Sequence, residues 1–131
     1  MSLVLVVDDE PDIRVVVRSI LRACGHDVCE ASTGEDALEV LKRTEPDVVL
    51  LDIRLPGISG VDVLKRIRSA ARFDRVAVVM LSAHSSETIA AECGDLGCQG
   101  FIRKPFNNSD LVAAVADAAP TTSAAGSSTK T

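Results

Sequence analysis

The feature that most constrains the fold is a run of four apolar residues, Val48 to Leu51, which ends in Asp52. An uninterrupted apolar run is typical of a strand that is buried on both faces of a parallel sheet. Pro56 and Gly57 follow and predict a turn just beyond the strand. Because reacting groups in open α/β sheets lie beyond the carboxyl ends of strands, Asp52 occupies a position where chemistry is common. A single Asp there is also a common turn or capping residue, so the other strand ends must decide its role.

Apolar runs of strand length alternate with helical patterns along most of the chain, which predicts repeated βα units and a parallel sheet. The second strand is the most polar and is expected at an edge of the sheet. The strands are predicted at residues 3–7, 26–31, 48–52, 76–81 and about 100–102. The helices are predicted to begin near Pro11, after Ser32 or Thr33, after Ser59, after Ser85 or Ser86, and at Asn107 or Asn108.

The buried face of each helix is predicted from apolar residues at three- and four-residue spacing. Ser32-x-x-Glu35 fits a capping box for the second helix, and Gly25 is expected to end the first. The residues expected to face inward are Ile13, Val16, Val17, Ile20 and Leu21, then Ala37, Leu38 and Leu41, then Val61, Leu64, Ile67 and Ala71, then Ile89, Cys93 and Leu96, and finally Leu111, Val115 and Ala118.

Composition and charge indicate one soluble globular domain. The chain has 131 residues, 47% of them hydrophobic and 25% charged, which is ordinary for such a domain. The net charge of −5, without a cluster of Lys and Arg, argues against direct nucleic-acid binding. The apolar N-terminus runs straight into acidic residues and reads as a strand, not a signal peptide. Since no apolar run approaches the roughly 18 residues of a membrane span, a cytoplasmic protein that makes no membrane contact is expected.

Residues 120–131 are rich in Ser, Thr and Ala and are predicted to be a disordered tail or linker that follows a domain of residues 1–119. The four cysteines, Cys24, Cys29, Cys93 and Cys98, lack the spacing of a zinc site. We expect them to be small buried apolar residues without a disulfide or metal role.

Polar side chains follow four of the five predicted strands. They are Asp8 and Asp9, Asp52, Ser82 and Lys104. In a parallel sheet these ends share one edge, where crowded carboxylates need a cation and hard oxygen ligands suit Mg²⁺. A metal, a lysine and a hydroxyl together can stabilise a phosphoryl group, with Asp52 as the nucleophile. Each residue alone has an ordinary structural explanation as a cap, turn or surface residue, but their joint occurrence favours a site.

At these positions the sequence resembles the receiver domains of bacterial two-component response regulators, the CheY-like family. The resemblance extends from Leu3 to about Ala119 and implies a single flavodoxin-like (βα)5 domain. Its parallel five-stranded sheet would have the order 2-1-3-4-5, with helices on both faces. The matching segments are Val6-Val7-Asp8-Asp9-Glu10, Leu51-Asp52-Ile53-Arg54-Leu55-Pro56-Gly57-x-x-Gly60, Leu81-Ser82-Ala83 and Lys104-Pro105-Phe106.

The resemblance also implies a role for each matching residue. Asp52 would accept the phosphoryl group, and Lys104, in a cis peptide bond with Pro105, would contact that group. Mg²⁺, for which Mn²⁺ can substitute, would be held by the side chains of Asp9 and Asp52 and the backbone carbonyl of Arg54, with Asp8 acting through water. Ser82 and Phe101 would be the switch pair, and Arg54 and His84 would tune dephosphorylation. Phe101 stands where a Tyr is common, and Ser59 where an Asp is common.

The implied function is a signalling switch that is not an enzyme in its own right, although it assists its own Mg²⁺-dependent phosphorylation and dephosphorylation. A sensor histidine kinase or a histidine phosphotransfer protein would be the donor. The face formed by the fourth predicted helix, the fifth strand and the fifth helix would then change and control a partner protein or a fused output domain, in some members through dimerisation.

Three other functions are compatible with parts of this pattern. The first alternative is a non-phosphorylated receiver-fold module for protein interaction, against which the intact acidic pair, Ser82 and Lys104 argue. A Mg²⁺-dependent phosphatase with an Asp nucleophile usually has a second acid two residues later, where this chain has Arg54. A flavin-binding protein would need a phosphate-binding loop after the first strand, and none is present.

Overall fold

The computed structural model describes residues 2–83 and 96–119 and contains a parallel five-stranded sheet of order β2-β1-β3-β4-β5. This confirms the predicted fold class and the edge position of the second strand. The strands are β1 (Leu3–Val7), β2 (Asp27–Ala31), β3 (Val48–Asp52), β4 (Ala77–Ser82) and β5 (Gly100–Arg103). The helices are α1 (Pro11–Ala23), α2 (Gly34–Arg43), α3 (Gly60–Ser69) and α4 (Asn108–Ala118), with a 3-10 turn at Ala71–Phe73.

The sheet is covered by helices on both faces, so its central strands are buried on both sides. Along β3, Val48 and Leu50 pack with α1 and α4, whereas Val49 and Leu51 pack with α2 and α3. All four are fully buried. This two-sided burial is the reason that the strand is uniformly apolar and does not alternate.

The helix boundaries agree with the capping residues at Ser59 and Asn107 but not with the predicted capping box at Ser32. Thr33 caps α2 instead, since its Oγ1 accepts a hydrogen bond from the Asp36 N–H at 3.0 Å. The Ser59 side chain accepts from the Asp62 N–H, and the Asp62 carboxylate accepts from the Ser59 N–H, which forms a capping box for α3.

Two of the predicted inward-facing residues are wrong. Val16 is 46% exposed, because it lies beside the stripe through Val17 and Leu21 that α1 buries. Ala71 is exposed because α3 ends at Ser69, and the buried face of α3 includes Val63, which the spacing did not single out.

Two predicted segments lie outside the described residues: the fourth helix after Ser85 or Ser86, and the tail at residues 120–131. Both stay predictions. Among the helices within residues 2–83 and 96–119, none combines the length and apolar character needed to cross a membrane.

The side chain of Arg68, near the end of α3, ties the start of β4 to the segment that leads into β5. Its guanidinium donates to the backbone carbonyls of Phe73, Val76 and Gly97 at 3.1, 2.7 and 2.8 Å, and to Gln99 Oε1 at 2.8 Å. One side chain thus satisfies backbone carbonyls from two segments, the connection between α3 and β4 and the segment before β5. These contacts hold the segment before β5 against the end of α3.

Gly60, the first residue of α3, permits a close approach to the strand that carries Asp52. A Cβ at this position would lie 2.0 Å from the Asp52 carbonyl oxygen. The Gly60 N–H donates to the Ile53 carbonyl at 2.9 Å, which holds the start of the helix against the end of β3. A glycine is therefore required here by space.

We expect Arg68→Ala to lower the free energy of unfolding by about 2 kcal/mol, because several partly buried carbonyls lose a charged donor. Urea unfolding followed by circular dichroism measures this. Lys65→Ala, an exposed residue on the same helix, is the control and should change stability by less than about 0.5 kcal/mol. Equal effects of the two substitutions would contradict the role assigned to Arg68.

We expect Gly60→Ala to lower the free energy of unfolding by about 3 kcal/mol or more, since the new methyl group meets backbone and not a flexible side chain. Helix propensity alone predicts the opposite sign, by about 1 kcal/mol in favour of Ala. Gly100→Ala is the matched control, because a Cβ there meets nothing within 4 Å. A Gly60→Ala variant as stable as Gly100→Ala would show that the close approach to the Asp52 carbonyl does not require a glycine at position 60.

Candidate functional site

The carboxyl ends of four parallel strands bring polar side chains to one edge of the sheet. Asp8 follows β1, Asp52 and Ser82 end β3 and β4, and Lys104 follows β5. The residues Asp8, Asp52 and Ser82 are 0%, 4% and 1% exposed, respectively. Buried polar groups of this kind require partners, and the two carboxylates find a common one in Lys104.

Lys104 is the centre of the charge network. Its Nζ lies 2.7 Å from Asp8 Oδ2, 3.1 Å from Asp52 Oδ2 and 3.5 Å from Glu10 Oε1. The lysine side chain is only 14% exposed and the Asp8 and Asp52 side chains are buried, so water screens these two contacts weakly, whereas the Glu10 carboxylate is exposed. A single ammonium group therefore bridges two buried carboxylates that come from β1 and β3.

The remaining oxygen of each carboxylate is held by the backbone. Asp8 Oδ1 accepts from the Glu10 N–H at 2.9 Å, and Asp52 Oδ1 accepts from the Arg54 N–H, also at 2.9 Å. In both cases the donor lies two residues after the acid, as in an Asx-turn. The backbone and Lys104 thus fix the orientation of both carboxylates.

The pKa values of Asp52 and Lys104 are both raised, by different balances of burial and charge. Burial raises the pKa of Asp52 above its usual value, and the neighbouring Asp8 adds to this rise, although the Arg54 N–H and Lys104 oppose it. Burial alone would lower the pKa of Lys104, but its hydrogen bonds and charge interactions with Asp8 and Asp52 outweigh burial and raise it. The lysine therefore stays charged.

An acidic cluster lies beside this bridge. One carboxylate oxygen from each of Asp8, Asp9 and Glu10 lies within 4.8 Å of the others. Asp9 and Glu10 are exposed and line a cavity of about 280 Å³ together with Asp52, Arg54, Ala83 and Lys104. Carboxylate oxygens at the mouth of an open cavity that admits water are a donor set that suits Mg²⁺.

Glu10 was absent from the residues expected at the site, although it lies near Lys104 and within the acidic cluster. The sequence feature that could have identified Glu10 is its place in the run of three acidic residues Asp8-Asp9-Glu10. A further cavity, of about 520 Å³, lies at the opposite edge of the sheet, where Asp47 and Val76 precede β3 and β4. None of the residues expected at the site contributes to it.

The predicted switch residues differ in their surroundings. The Ser82 side chain is buried, and the Ser82 carbonyl accepts from the Lys104 N–H at 2.7 Å. Phe101 lies on the edge strand β5 and is 46% exposed. Arg54 is exposed, the Lys104–Pro105 peptide bond is cis, and His84 lies outside the described residues.

The cysteines do not form a second site within the described residues. Cys24, Cys29 and Cys98 take part in no disulfide bond among residues 2–83 and 96–119. The expectation that all are buried is wrong for Cys24, which is exposed just after the end of α1. Burial raises the pKa of Cys29, whose Sγ lies 3.8 Å from the Val4 carbonyl, so this thiol is not activated. Cys93 lies outside the described residues.

Residues 4–116 match the family model described as response regulator receiver domain. Among curated proteins, the transcriptional regulatory protein KdpE of Mycobacterium tuberculosis is 39% identical over 113 residues, which are 86% of this chain and 49% of KdpE. The chain thus spans about half the length of the curated relatives that it matches.

Solved structures resemble the fold closely. The chemotaxis response regulator CheY4 of Vibrio cholerae has a TM-score of 0.86 at 29% identity, and the match covers 90% of this chain and 98% of CheY4. NtrX of Brucella abortus has a TM-score of 0.82 at 34% identity, over 89% of this chain and 27% of NtrX. The family model covers nearly all of the described fold, including every strand end at the site. The chain therefore belongs to the family of response regulator receiver domains.

Proposed function

We propose that this receiver domain is a phosphorylation-activated switch in which Asp52 accepts a phosphoryl group. The donor is a phosphohistidine of a sensor histidine kinase or of a histidine phosphotransfer protein. The observation that carries the proposal is the Lys104 bridge, whose Nζ lies 2.7 Å from Asp8 and 3.1 Å from Asp52. This places a fixed positive charge beside a buried carboxylate at the open edge of the sheet.

The reaction requires Asp52 in its ionised form. An oxygen of the Asp52 carboxylate attacks phosphorus, the phosphorus–nitrogen bond breaks, and the imidazole leaves with its electron pair and takes up a proton. The product is an acyl phosphate on Asp52. The Arg54 N–H and the Lys104 ammonium favour the carboxylate over the carboxylic acid, and Lys104 also stabilises the negative charge of the transferred group.

The acidic residues supply the oxygen ligands for Mg²⁺ or Mn²⁺. We assign the side chains of Asp9 and Asp52 and the backbone carbonyl of Arg54 as ligands, with Asp8 acting through water. When bound, the cation neutralises charge on the phosphoryl oxygens. Glu10 adds a further negative charge at the mouth of the cavity, which attracts cations to this edge of the sheet.

The switch links Asp52 to the β5 edge. Ser82 bonds the phosphoryl group and leaves space into which Phe101 turns. Burying the exposed part of the Phe101 side chain supplies about 1 kcal/mol of the difference between the two states. The face around β5 and α4 then controls a downstream protein or a fused output domain, through dimerisation or direct contact.

Other parts of the proposal rest on the family and on composition. We place the receiver domain at residues 1–119 and a tail or linker at residues 120–131. Direct contact of this chain with nucleic acid is not part of the proposal, since its net charge is −5. Arg54 and His84 are assigned to tuning the rate of dephosphorylation. The cytoplasmic location stays a prediction.

We expect Asp52→Asn to abolish acid-labile labelling by radioactive acetyl phosphate or by a phosphorylated histidine donor in the presence of Mg²⁺. The amide is not a nucleophile that can form the acyl phosphate. Asp117→Asn, which removes an exposed carboxylate on α4, should label like the wild type. Undiminished labelling of Asp52→Asn would overturn the assignment, and unlabelled wild-type protein would favour the interaction-module alternative.

We expect Asp9→Asn to raise the Mg²⁺ concentration needed for half-maximal labelling by roughly tenfold or more, because a hard cation loses one charged ligand. Labelling is measured over a range of MgCl₂ concentrations, and chelation by EDTA should stop it altogether. Asp12→Asn, three residues later on the exposed side of α1, is the control. Identical Mg²⁺ dependence in the two variants would remove Asp9 from the ligand set.

A further inference from the structure

The loop that carries the acidic residues is held from α1 by Arg14. Its Nη1 donates to the Asp8 backbone carbonyl at 2.6 Å, and its Nε donates to Glu30 Oε1 at 3.3 Å. The other oxygen of the Glu30 carboxylate accepts from Arg18 Nη1, one turn further along α1. The side chains of Arg14 and Glu30 are 18% and 26% exposed, so this contact is largely protected from solvent.

Arg14 satisfies a carbonyl that the sheet does not reach. The Asp8 N–H still extends the ladder, since it donates to the Ala31 carbonyl at 3.1 Å. The Asp8 carbonyl lies one residue beyond the last paired position of β1, Val7. A buried carbonyl without a donor is costly, and the Arg14 guanidinium provides that donor. It thereby holds the peptide plane between Asp8 and Asp9.

That peptide plane sets the direction in which the Asp9 side chain leaves the backbone. The Asp8 side chain is fixed independently by the Glu10 N–H and by Lys104. The Asp9 carboxylate is exposed and forms no hydrogen bond or ion pair with another residue within 2–83 and 96–119. Its starting direction therefore depends on the Asp8–Asp9 peptide, and hence on Arg14.

We propose that Arg14, oriented by Glu30, is a positioning residue that sets the affinity of the acidic site for Mg²⁺. Neither residue touches the cation or the phosphoryl group. Arg14 acts through the Asp8 backbone, and Glu30 acts by holding the guanidinium fork in place. This inference rests on the proposed function, because it concerns the metal ligands assigned there.

Electrostatics and positioning predict opposite signs when Arg14 is removed. Loss of a positive charge near an acidic cluster should, by Coulomb's law, strengthen the binding of a divalent cation. Loss of the contact with the Asp8 carbonyl should weaken binding, since the ligands are no longer preorganised. The direction of the change in Mg²⁺ affinity therefore distinguishes the two effects.

The experiment is a titration of the ¹⁵N-labelled chain with MgCl₂, followed by amide chemical shifts, in the absence of any phosphoryl donor. We expect Arg14→Ala to bind Mg²⁺ roughly tenfold more weakly, the lower end of the losses seen when supporting contacts are removed. Arg14→Lys keeps the charge but cannot contact both the Asp8 carbonyl oxygen and the Glu30 carboxylate. Its affinity for Mg²⁺ should therefore lie between those of Arg14→Ala and the wild type. Affinity equal to or tighter than the wild type in Arg14→Ala would overturn the inference.

Two control variants separate positioning from charge and from stability. Arg22→Ala removes an exposed arginine from the last turn of the same helix and should leave Mg²⁺ affinity unchanged or slightly tighter. Ile20→Ala weakens the packing of α1 and should lower the unfolding midpoint without changing Mg²⁺ affinity. If Ile20→Ala weakens Mg²⁺ binding as much as Arg14→Ala does, the loss of affinity comes from general destabilisation of α1, and the inference is overturned.

Arg14→Lys keeps the test decisive if Arg14→Ala does not fold, because the positive charge is unchanged and only part of the hydrogen bonding to the Asp8 carbonyl and to Glu30 is lost. Mg²⁺ affinity of Arg14→Lys equal to that of the wild type would then overturn the inference. Failure here is distinct from failure of the proposed function. Unlabelled wild-type protein counts against Asp52 as the acceptor, whereas unchanged Mg²⁺ affinity in both Arg14 variants counts only against positioning.

Discussion

The ammonium group of Lys104 between the carboxylates of Asp8 and Asp52 is the interaction on which the site depends. Both acids are almost completely buried, and their mutual repulsion would force one to protonate if no cation lay between them. Removing one member of such a buried network costs roughly 3–5 kcal/mol, because it leaves a charge without a partner. The order of the strands determines how far the Lys104 side chain must reach to join the two acids. β1 and β5 are not neighbours, and the long lysine side chain crosses the ends of β3 and β4 to reach Asp8.

The two sides of this bridge differ in burial and in their backbone contacts. Asp8 and Asp52 leave central strands whose residues are buried on both faces, and each carboxylate is also held by a backbone N–H. Lys104 comes from β5, an edge strand of which Phe101 is 46% exposed. Phosphoryl transfer benefits from a fixed nucleophile, whereas a switch needs an element that can change at low cost. The proposed mechanism would use both at a single edge of the sheet.

The strands and their ends could be predicted because two-sided burial leaves an uninterrupted apolar run, and because parallel strands present their carboxyl ends together. That reasoning located Asp8, Asp52, Ser82 and Lys104. It missed Arg14 and Glu30, since a hydrogen bond from a helix to a backbone carbonyl depends on how the helix packs and has no sequence periodicity. The predicted burial of Val16 was wrong for a related reason, because residue spacing alone does not tell how much of the surface of α1 the sheet covers. The sequence allowed either Ser32 or Thr33 as the cap of α2, and the structure has Thr33, which accepts from the Asp36 N–H.

Asp8 and Asp52 have the same hydrogen-bonding arrangement, and this affects how the site would respond to phosphorylation of Asp52. Each carboxylate uses one oxygen for a backbone N–H and the other for Lys104. Under the proposed mechanism Asp52 gives up its own charge and carries a group of about −1.5 to −2. Lys104 Nζ already lies 3.1 Å from Asp52 Oδ2, so after phosphorylation it could exchange Asp52 for a phosphoryl oxygen while it retains Asp8. The ammonium then needs no large movement, and the added charge must be balanced by the cation and by groups at the β4 and β5 ends. In the proposed mechanism this would direct the structural response toward Ser82 and Phe101, and away from the β1 and β3 side.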